Sequence, residues 1–207
     1  MSDNFRQLID DLRVADQLID IEKPVDIRHI ATLVDQSDKA LMFKNVTGYA
    51  MPVISGVTNS RDRLAIAADC EFSDIERRLR DGLDRPIEPE FVNTGPVREV
   101  YVEGADVDLY TMPVPLFSVL DGGPMITAGV TLSRDPEEPR DSAINAGVYR
   151  YLVKEKNLTG IDIVTPNNLH RYAAKAFEKG EPLPISINIG THPFELIYSF
   201  ENFFQGL

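Results

Sequence analysis

The chain has 207 residues, enough for one large domain or two small ones with a buried core. Hydrophobic residues make up 43% and charged residues 26%, as in ordinary globular proteins, and a net charge of −12 argues against nucleic acid as a partner. A single cysteine, Cys70, excludes a disulfide framework and a thiolate zinc site. No apolar run approaches the ~18 residues of a membrane span and no signal peptide is visible, so the sequence predicts a cytoplasmic protein.

The first 85 residues predict alternating helices and strands. In chain order these are a helix behind a cap at Ser2 or Asp3, a strand at 18–21, a helix behind Asp26, strands at 41–43 and 53–57, a helix behind 58–60, and a helix opened by a capping box of Ser73 and Glu76. This order indicates an α/β layer arrangement.

Prolines become frequent after Pro86, and strands then dominate the prediction. Strands are predicted at 97–103, 125–133, 144–153, 158–164 and 185–189, with a helix capped by Asn167 or Asn168 and closed by Gly180. Consecutive strands with short turns favour an antiparallel sheet or barrel. We therefore predict an N-terminal α/β domain over 1–115 and a second domain over 116–207.

The last residues are rich in aromatic side chains, among them Phe194, Tyr198, Phe200, Phe203 and Phe204. So much aromatic surface is not left exposed in a stable protein. We expect that a partner chain covers it or that the chain is part of a longer polypeptide.

The stretch 142–150 combines a neutral oxygen ligand, Asn145, with a permanent cation, Arg150. In an extended strand Asn145, Gly147 and Tyr149 would share one face, whereas Arg150 would lie on the other, because side chains alternate. A bulge or bend would be needed for both polar residues to line one site. The alternative interpretation is an ordinary strand with a surface arginine.

Five motifs resemble the UbiD-type decarboxylase family and follow one another in that family's order. They are Phe43–Tyr49, Asp121–Thr127, Ser133–Pro136, Asn145–Arg150 and Gly180–Gly190. The resemblance implies a reversible, non-oxidative decarboxylase of aromatic or α,β-unsaturated acids. It also implies prenylated FMN held through a divalent metal, typically manganese, often with potassium nearby. The implied architecture is an α/β domain followed by the front part of a split β-barrel related to flavin reductases, in a homo-oligomer.

The resemblance also implies roles for particular residues. Asn145 matches a metal ligand, and Arg150 matches the catalytic arginine that orients the substrate carboxylate, as a guanidinium is suited to do. Thr127 and Val148 match positions that line the flavin. The family's histidine ligand aligns with Asn168, and His170, two residues further on, is the alternative ligand.

The third metal ligand and both catalytic glutamates of the family have no counterpart among the carboxylates near the motif, Glu137, Glu138 and Glu155. We therefore expect the N-terminal portion of a UbiD-like enzyme, inactive as this short chain. A non-catalytic short subunit on the same scaffold is the alternative hypothesis. A third is a flavin-reductase-like module that binds ordinary FMN.

Overall fold

The structure is a computed structural model that describes residues 4–85, 92–139, 143–163 and 166–201. Its helices are α1 (Phe5–Val14), α2 (Ile30–Asp35), α3 (Arg61–Ala68), α4 (Ile75–Asp84), α5 (Asn168–Glu178) and α6 (Pro193–Glu201). Its strands are β1 (Leu18–Ile21), β2 (Ala40–Phe43), β3 (Val53–Ser55), β4 (Met125–Ser133), β5 (Asn145–Glu155), β6 (Leu158–Asp162) and β7 (Ser186–Asn188). The predicted mixture of helices and strands is confirmed. No helix within these ranges is long and apolar enough to cross a membrane.

The first sheet has the order β1-β2-β3, with β1 parallel to β2 and β3 antiparallel to it. Helices α1 and α3 close its core, in which Leu8 and Leu12 are fully buried. Phe194 of α6 belongs to the same core, and the hydroxyl of Tyr198 donates to the carbonyl of Leu79 at 3.3 Å. These two aromatic residues are thus covered within the chain, whereas the Phe200 side chain, Phe203 and Phe204 lie outside the described part.

The second sheet is antiparallel throughout and has the order β6-β5-β4-β7. Tyr151 is almost fully buried at its centre, and its hydroxyl shares a hydrogen bond of 2.6 Å with the Thr131 hydroxyl. The pairing of β4 with β5 is irregular between Ile126 and Gly129. This sheet agrees with the predicted antiparallel arrangement, while a split barrel and a boundary near residue 115 stay predictions.

Helix starts were predicted with mixed success. Ser60 caps α3 and Asn167 caps α5, as predicted. Asn4, rather than Ser2 or Asp3, caps α1. The predicted cap at Asp26 is wrong, because its carboxylate binds Arg28 in a turn before α2 begins. The capping box at 73–76 is also wrong: a 3-10 turn covers 72–74, and α4 begins at Ile75 without a side-chain cap.

The predicted strand at 97–103 is wrong. The chain there forms 3-10 turns at Pro96–Arg98 and Gly104–Asp106. Val97 is 86% exposed and Tyr101 is 78% exposed, so the alternating pattern does not mark a buried face. An alternating sequence forms a strand only when a neighbour accepts its backbone hydrogen bonds.

The N-terminal layer contains a buried cation, Arg63, which is only 2% exposed. Its guanidinium donates to the Asp38 carbonyl at 2.7 Å, to the Gln17 amide oxygen at 3.3 Å and to the Asn59 amide oxygen. Burial lowers the pKa of this arginine. Arg63 therefore joins α3 to the loop before β2 and to the start of β1.

We predict that Arg63→Met lowers the free energy of unfolding by about 2–3 kcal/mol, because it leaves buried acceptors without their charged donor. Urea denaturation measures this loss. Arg80→Met is the matched control, since Arg80 pairs with Glu76 on an exposed helix face and its loss should cost less than ~0.5 kcal/mol. Equal losses in the two variants would contradict the structural role of Arg63.

A second prediction concerns His192, which is 7% exposed before α6. Its Nδ1 accepts from the Phe194 amide at 3.3 Å, and its ring stacks on Phe194. Burial lowers the pKa of this histidine, so the unfolded chain takes up the proton first as the pH falls. The contribution of His192 to stability is therefore complete above the unfolded pKa, near 6.5, and is lost as the pH falls below it.

We expect the wild-type melting temperature to fall between pH 7.5 and pH 5.5 by more than that of His192→Asn. Thermal melts of both proteins over this range test the difference. His29→Gln serves as a control for the loss of a histidine, because His29 is exposed and lies outside the core that α6 joins. An identical pH dependence in wild type and His192→Asn would exclude His192 as the titrating group.

Candidate functional site

Two asparagines from distant parts of the sequence meet at the end of the second sheet. Asn145 begins β5, lies opposite Ser133 of β4, and is 8% exposed. Its Oδ1 accepts from the Nδ2 of Asn168 at 2.9 Å, and its own Nδ2 donates to the Ser133 hydroxyl at 3.4 Å. The buried end of the strand thus holds a pair of neutral amides, the Asn145–Asn168 pair.

The first turn of α5 places Asn168 in this pair. Asn167 is the N-cap, and its Oδ1 accepts from the backbone amide of His170 at 3.0 Å. The apolar side chains Leu169, Tyr172 and Ala176 are buried on one side of the helix. Capping and burial together fix the position at which α5 begins.

A salt bridge holds the same helix to the turn that follows β4. The Nζ of Lys175 lies 2.7 Å from Asp135 Oδ2 and 2.8 Å from Glu137 Oε2. The hydrogen bond from Lys175 keeps the pKa of Asp135 below its usual value, so this carboxylate stays ionised at neutral pH. Helix α5 is therefore attached to β4 as well as to β5.

Tyr149 lies on the same face of β5 as Asn145 and also reaches α5. Its hydroxyl donates to Asn167 Oδ1 at 3.3 Å. Burial raises the pKa of Tyr149, so the phenol remains a hydrogen-bond donor at neutral pH. Sequence reasoning placed Tyr149 on this face but assigned it no function.

Arg150 lies on the opposite face and is exposed. Its guanidinium forms an ion pair with Asp162, its cross-strand partner on β6. The register of β5 is regular from Asn145 to Tyr149, and the irregularity belongs to β4, where Thr127 and Ala128 have no partner in the ladder. The bulge that would bring Asn145 and Arg150 to one face of β5 is thus not found in this part of the described chain.

The predicted flavin-lining residues accompany Arg150 rather than Asn145. Val148 shares the face of Arg150 by alternation and is half-buried, and Thr127 is exposed in the bulge across from Arg150. His170 is exposed on α5, whereas Asn168 contacts Asn145 directly. Within the described ranges no three His, Cys, Asp or Glu side chains cluster as a metal site would require.

Two family models together match most of the chain. The N-terminal domain of 3-octaprenyl-4-hydroxybenzoate carboxy-lyase matches residues 9–82, and the Rift-related domain of the same family matches residues 90–202. The chain belongs to the UbiD family. The resemblance of the five motifs is thereby confirmed.

Curated relatives and solved structures agree with this assignment. The chain is 30% identical to an anhydromevalonate phosphate decarboxylase of Methanothermobacter thermautotrophicus, over 93% of this chain and 44% of the relative. It is 27% identical to a phenolic acid decarboxylase of Sedimentibacter hydroxybenzoicus, over 92% of this chain and 43% of the relative.

The structure is similar to an evolved dimeric form of a UbiD-class enzyme from Pelotomaculum thermopropionicum in complex with prFMN. The TM-score is 0.84 and the identity 30%, with 92% of this chain and 45% of the other covered. The chain thus spans less than half the length of the UbiD proteins that it matches.

Proposed function

We propose that this chain supplies one side of the active site of a reversible, non-oxidative decarboxylase that uses prenylated FMN. The proposed substrates are aromatic or α,β-unsaturated carboxylic acids. The observation that carries the proposal is the partly buried contact between Asn145 and Asn168, which joins the start of β5 to the start of α5. Membership of the UbiD family and the prFMN complex of a similar enzyme support it.

The amide pair fits a divalent metal such as manganese as part of a larger ligand set. Hard cations prefer oxygen ligands, and each amide carries a carbonyl oxygen. In this structure Asn168 Nδ2 donates to Asn145 Oδ1, so the Asn168 amide would have to rotate to turn its carbonyl oxygen toward a shared cation. Both amides are neutral, so the metal charge would have to be balanced by the flavin phosphate and by a carboxylate from outside the described residues. A potassium ion nearby belongs to the same proposal.

We assign the second metal ligand to Asn168 rather than to His170. Asn168 contacts Asn145, whereas the His170 side chain is exposed and only its backbone amide takes part in the capping of α5. The start of α5 also favours a phosphate nearby, because backbone amides and the helix dipole are electropositive there.

Arg150 is the proposed catalytic residue. Its ion pair with Asp162 shows that the guanidinium binds a carboxylate on this face, and a substrate carboxylate would replace that of Asp162. Thr127 and Val148 are the proposed flavin-lining residues on this face, and a flavin held at Asn145 would have to pass around the end of β5 to contact them. When bound, prenylated FMN would stabilise the negative charge left by departing carbon dioxide. The chain's own role is to hold and orient the carboxylate.

A proton donor completes the reaction and has no clear candidate in the described part of the chain. Glu137, which is near the site in sequence, is bound to Lys175. We therefore propose that this chain alone is inactive and that further residues, in the same polypeptide or in a partner chain, provide the acid.

The proposal also keeps the domain boundary near residue 115 and a split barrel that begins after it. It includes a homo-oligomer, which the dimeric form of the similar enzyme supports.

A non-catalytic module that binds FMN is the second candidate function. It is favoured by the replacement of the family histidine with Asn168, which leaves two neutral ligands and no imidazole. Reconstitution with prenylated FMN separates the two functions, since a binding module would take up the flavin without any decarboxylation of unsaturated acids.

We predict that Arg150→Ala lowers kcat/KM for decarboxylation at least ~100-fold in the complete polypeptide, because the substrate carboxylate loses its bidentate partner. A steady-state assay of carbon dioxide release measures the effect. Arg80→Ala is the control, since Arg80 also pairs with a carboxylate on an exposed surface and should have no effect on turnover. Unchanged turnover in Arg150→Ala would exclude the role given to this arginine.

We also predict that Asn145→Ala and Asn168→Ala each weaken Mn²⁺ binding about 10–100-fold in the presence of FMN, because each removes a ligand. Electron paramagnetic resonance measures free Mn²⁺ directly. Asn188→Ala is the control, because Asn188 donates to Val130 within the same sheet and takes no part in the amide pair. A loss in His170→Ala without a loss in Asn168→Ala would reverse the assignment of the second ligand.

A further inference from the structure

The hydroxyl of Tyr149 and the first turn of α5 meet at a single atom, Asn167 Oδ1. This oxygen accepts from the backbone amide of His170 at 3.0 Å and from Tyr149 at 3.3 Å. The cap of the helix is therefore held from inside the helix and from β5. Asn168, the next residue along the chain, is the one that reaches Asn145.

Gly147 allows Tyr149 to take this position. A Cβ at residue 147 would lie 2.9 Å from Cε2 and 3.0 Å from the hydroxyl oxygen of Tyr149. Real Cβ atoms do not approach other atoms so closely. The tyrosine ring thus folds back over the bare backbone of Gly147, toward the end of the strand where Asn145 lies.

We propose that Tyr149, together with Gly147, is a positioning residue for the Asn145–Asn168 pair. The tyrosine hydroxyl fixes Asn167, Asn167 fixes the first turn of α5, and that turn holds Asn168 against Asn145. The role rests on the proposed function, in which this pair binds the metal that holds the flavin. Tyr149 itself contacts neither the substrate nor the reacting atoms.

Tyr151 offers a matched comparison on the same face of the same strand. It is 1% exposed, and its hydroxyl bonds to Thr131 at 2.6 Å. Removing the Tyr151 hydroxyl deletes its bond to Thr131, and removing the Tyr149 hydroxyl deletes its bond to Asn167; both tyrosines pack in the second sheet. Of the two tyrosines, Tyr149 is the one bonded to the cap of α5. Removal of either hydroxyl should affect packing, but removal of the Tyr149 hydroxyl should also loosen the start of α5.

The experiment compares Tyr149→Phe with Tyr151→Phe in the complete polypeptide. The first readout is hydrogen exchange of the His170 backbone amide in the metal-free protein. The second is Mn²⁺ affinity in the presence of FMN. We expect Tyr149→Phe to speed His170 exchange about 5-fold or more and to weaken Mn²⁺ binding about 10-fold, as loss of a supporting hydrogen bond does at metal sites.

Tyr151→Phe should lower the melting temperature and leave both readouts within about 2-fold of wild type. Gly147→Ala should reproduce the effects of Tyr149→Phe, because the new methyl group displaces the ring. The proposal is overturned if Tyr149→Phe changes neither readout, or if both tyrosine variants change them equally. If the wild-type protein binds no Mn²⁺ with FMN, the proposed function fails, and His170 exchange still decides the role of Tyr149.

Discussion

The antiparallel pairing of β4 with β5 is the constraint on which the proposed site depends. Its register sets Asn145 opposite Ser133 and Tyr149 opposite Gly129, with all four facing the same side of the sheet. A slip of one residue would turn every side chain of β5 to the other face. Arg150 would then enter the interior and Asn145 would leave it. The packing of Ile126, Tyr151 and Val153 in one buried cluster specifies the register, because it requires these residues to face inward together.

Helix α5 forms the second side of the proposed site, opposite the end of β5. Its first residue reaches Asn145, and Lys175, two turns further on, holds the turn after β4 through Asp135 and Glu137. The helix is therefore attached at two points to the strands whose ends it covers. Protein contacts alone hold the Asn145–Asn168 pair in place. Arg150, in contrast, lies on an exposed face and pairs with Asp162.

Some local features of the fold followed from the sequence, whereas most specific contacts between distant elements did not. The faces of β5 could be predicted because alternation depends only on extended backbone, and Ser60 and Asn167 were correctly predicted as caps. The cap at Asp26 was mispredicted because Arg28 competes for the same carboxylate. The strand at 97–103 failed because an alternating pattern does not reveal whether a neighbouring strand exists. The contact from Tyr149 to Asn167 depends on how α5 docks, and only the Asn-x-Gly-x-Tyr spacing on one face could have suggested it.

The burial of Phe194 among Leu8, Leu12 and Ala67 has a consequence for the order in which the protein acquires structure. Contacts between residues so far apart in the chain form late, because the loop between them must close first. During synthesis, α1 and α3 would leave the ribosome with part of their apolar surface exposed until α6 packs against it. The packing of α6 in this core crosses the proposed boundary near residue 115.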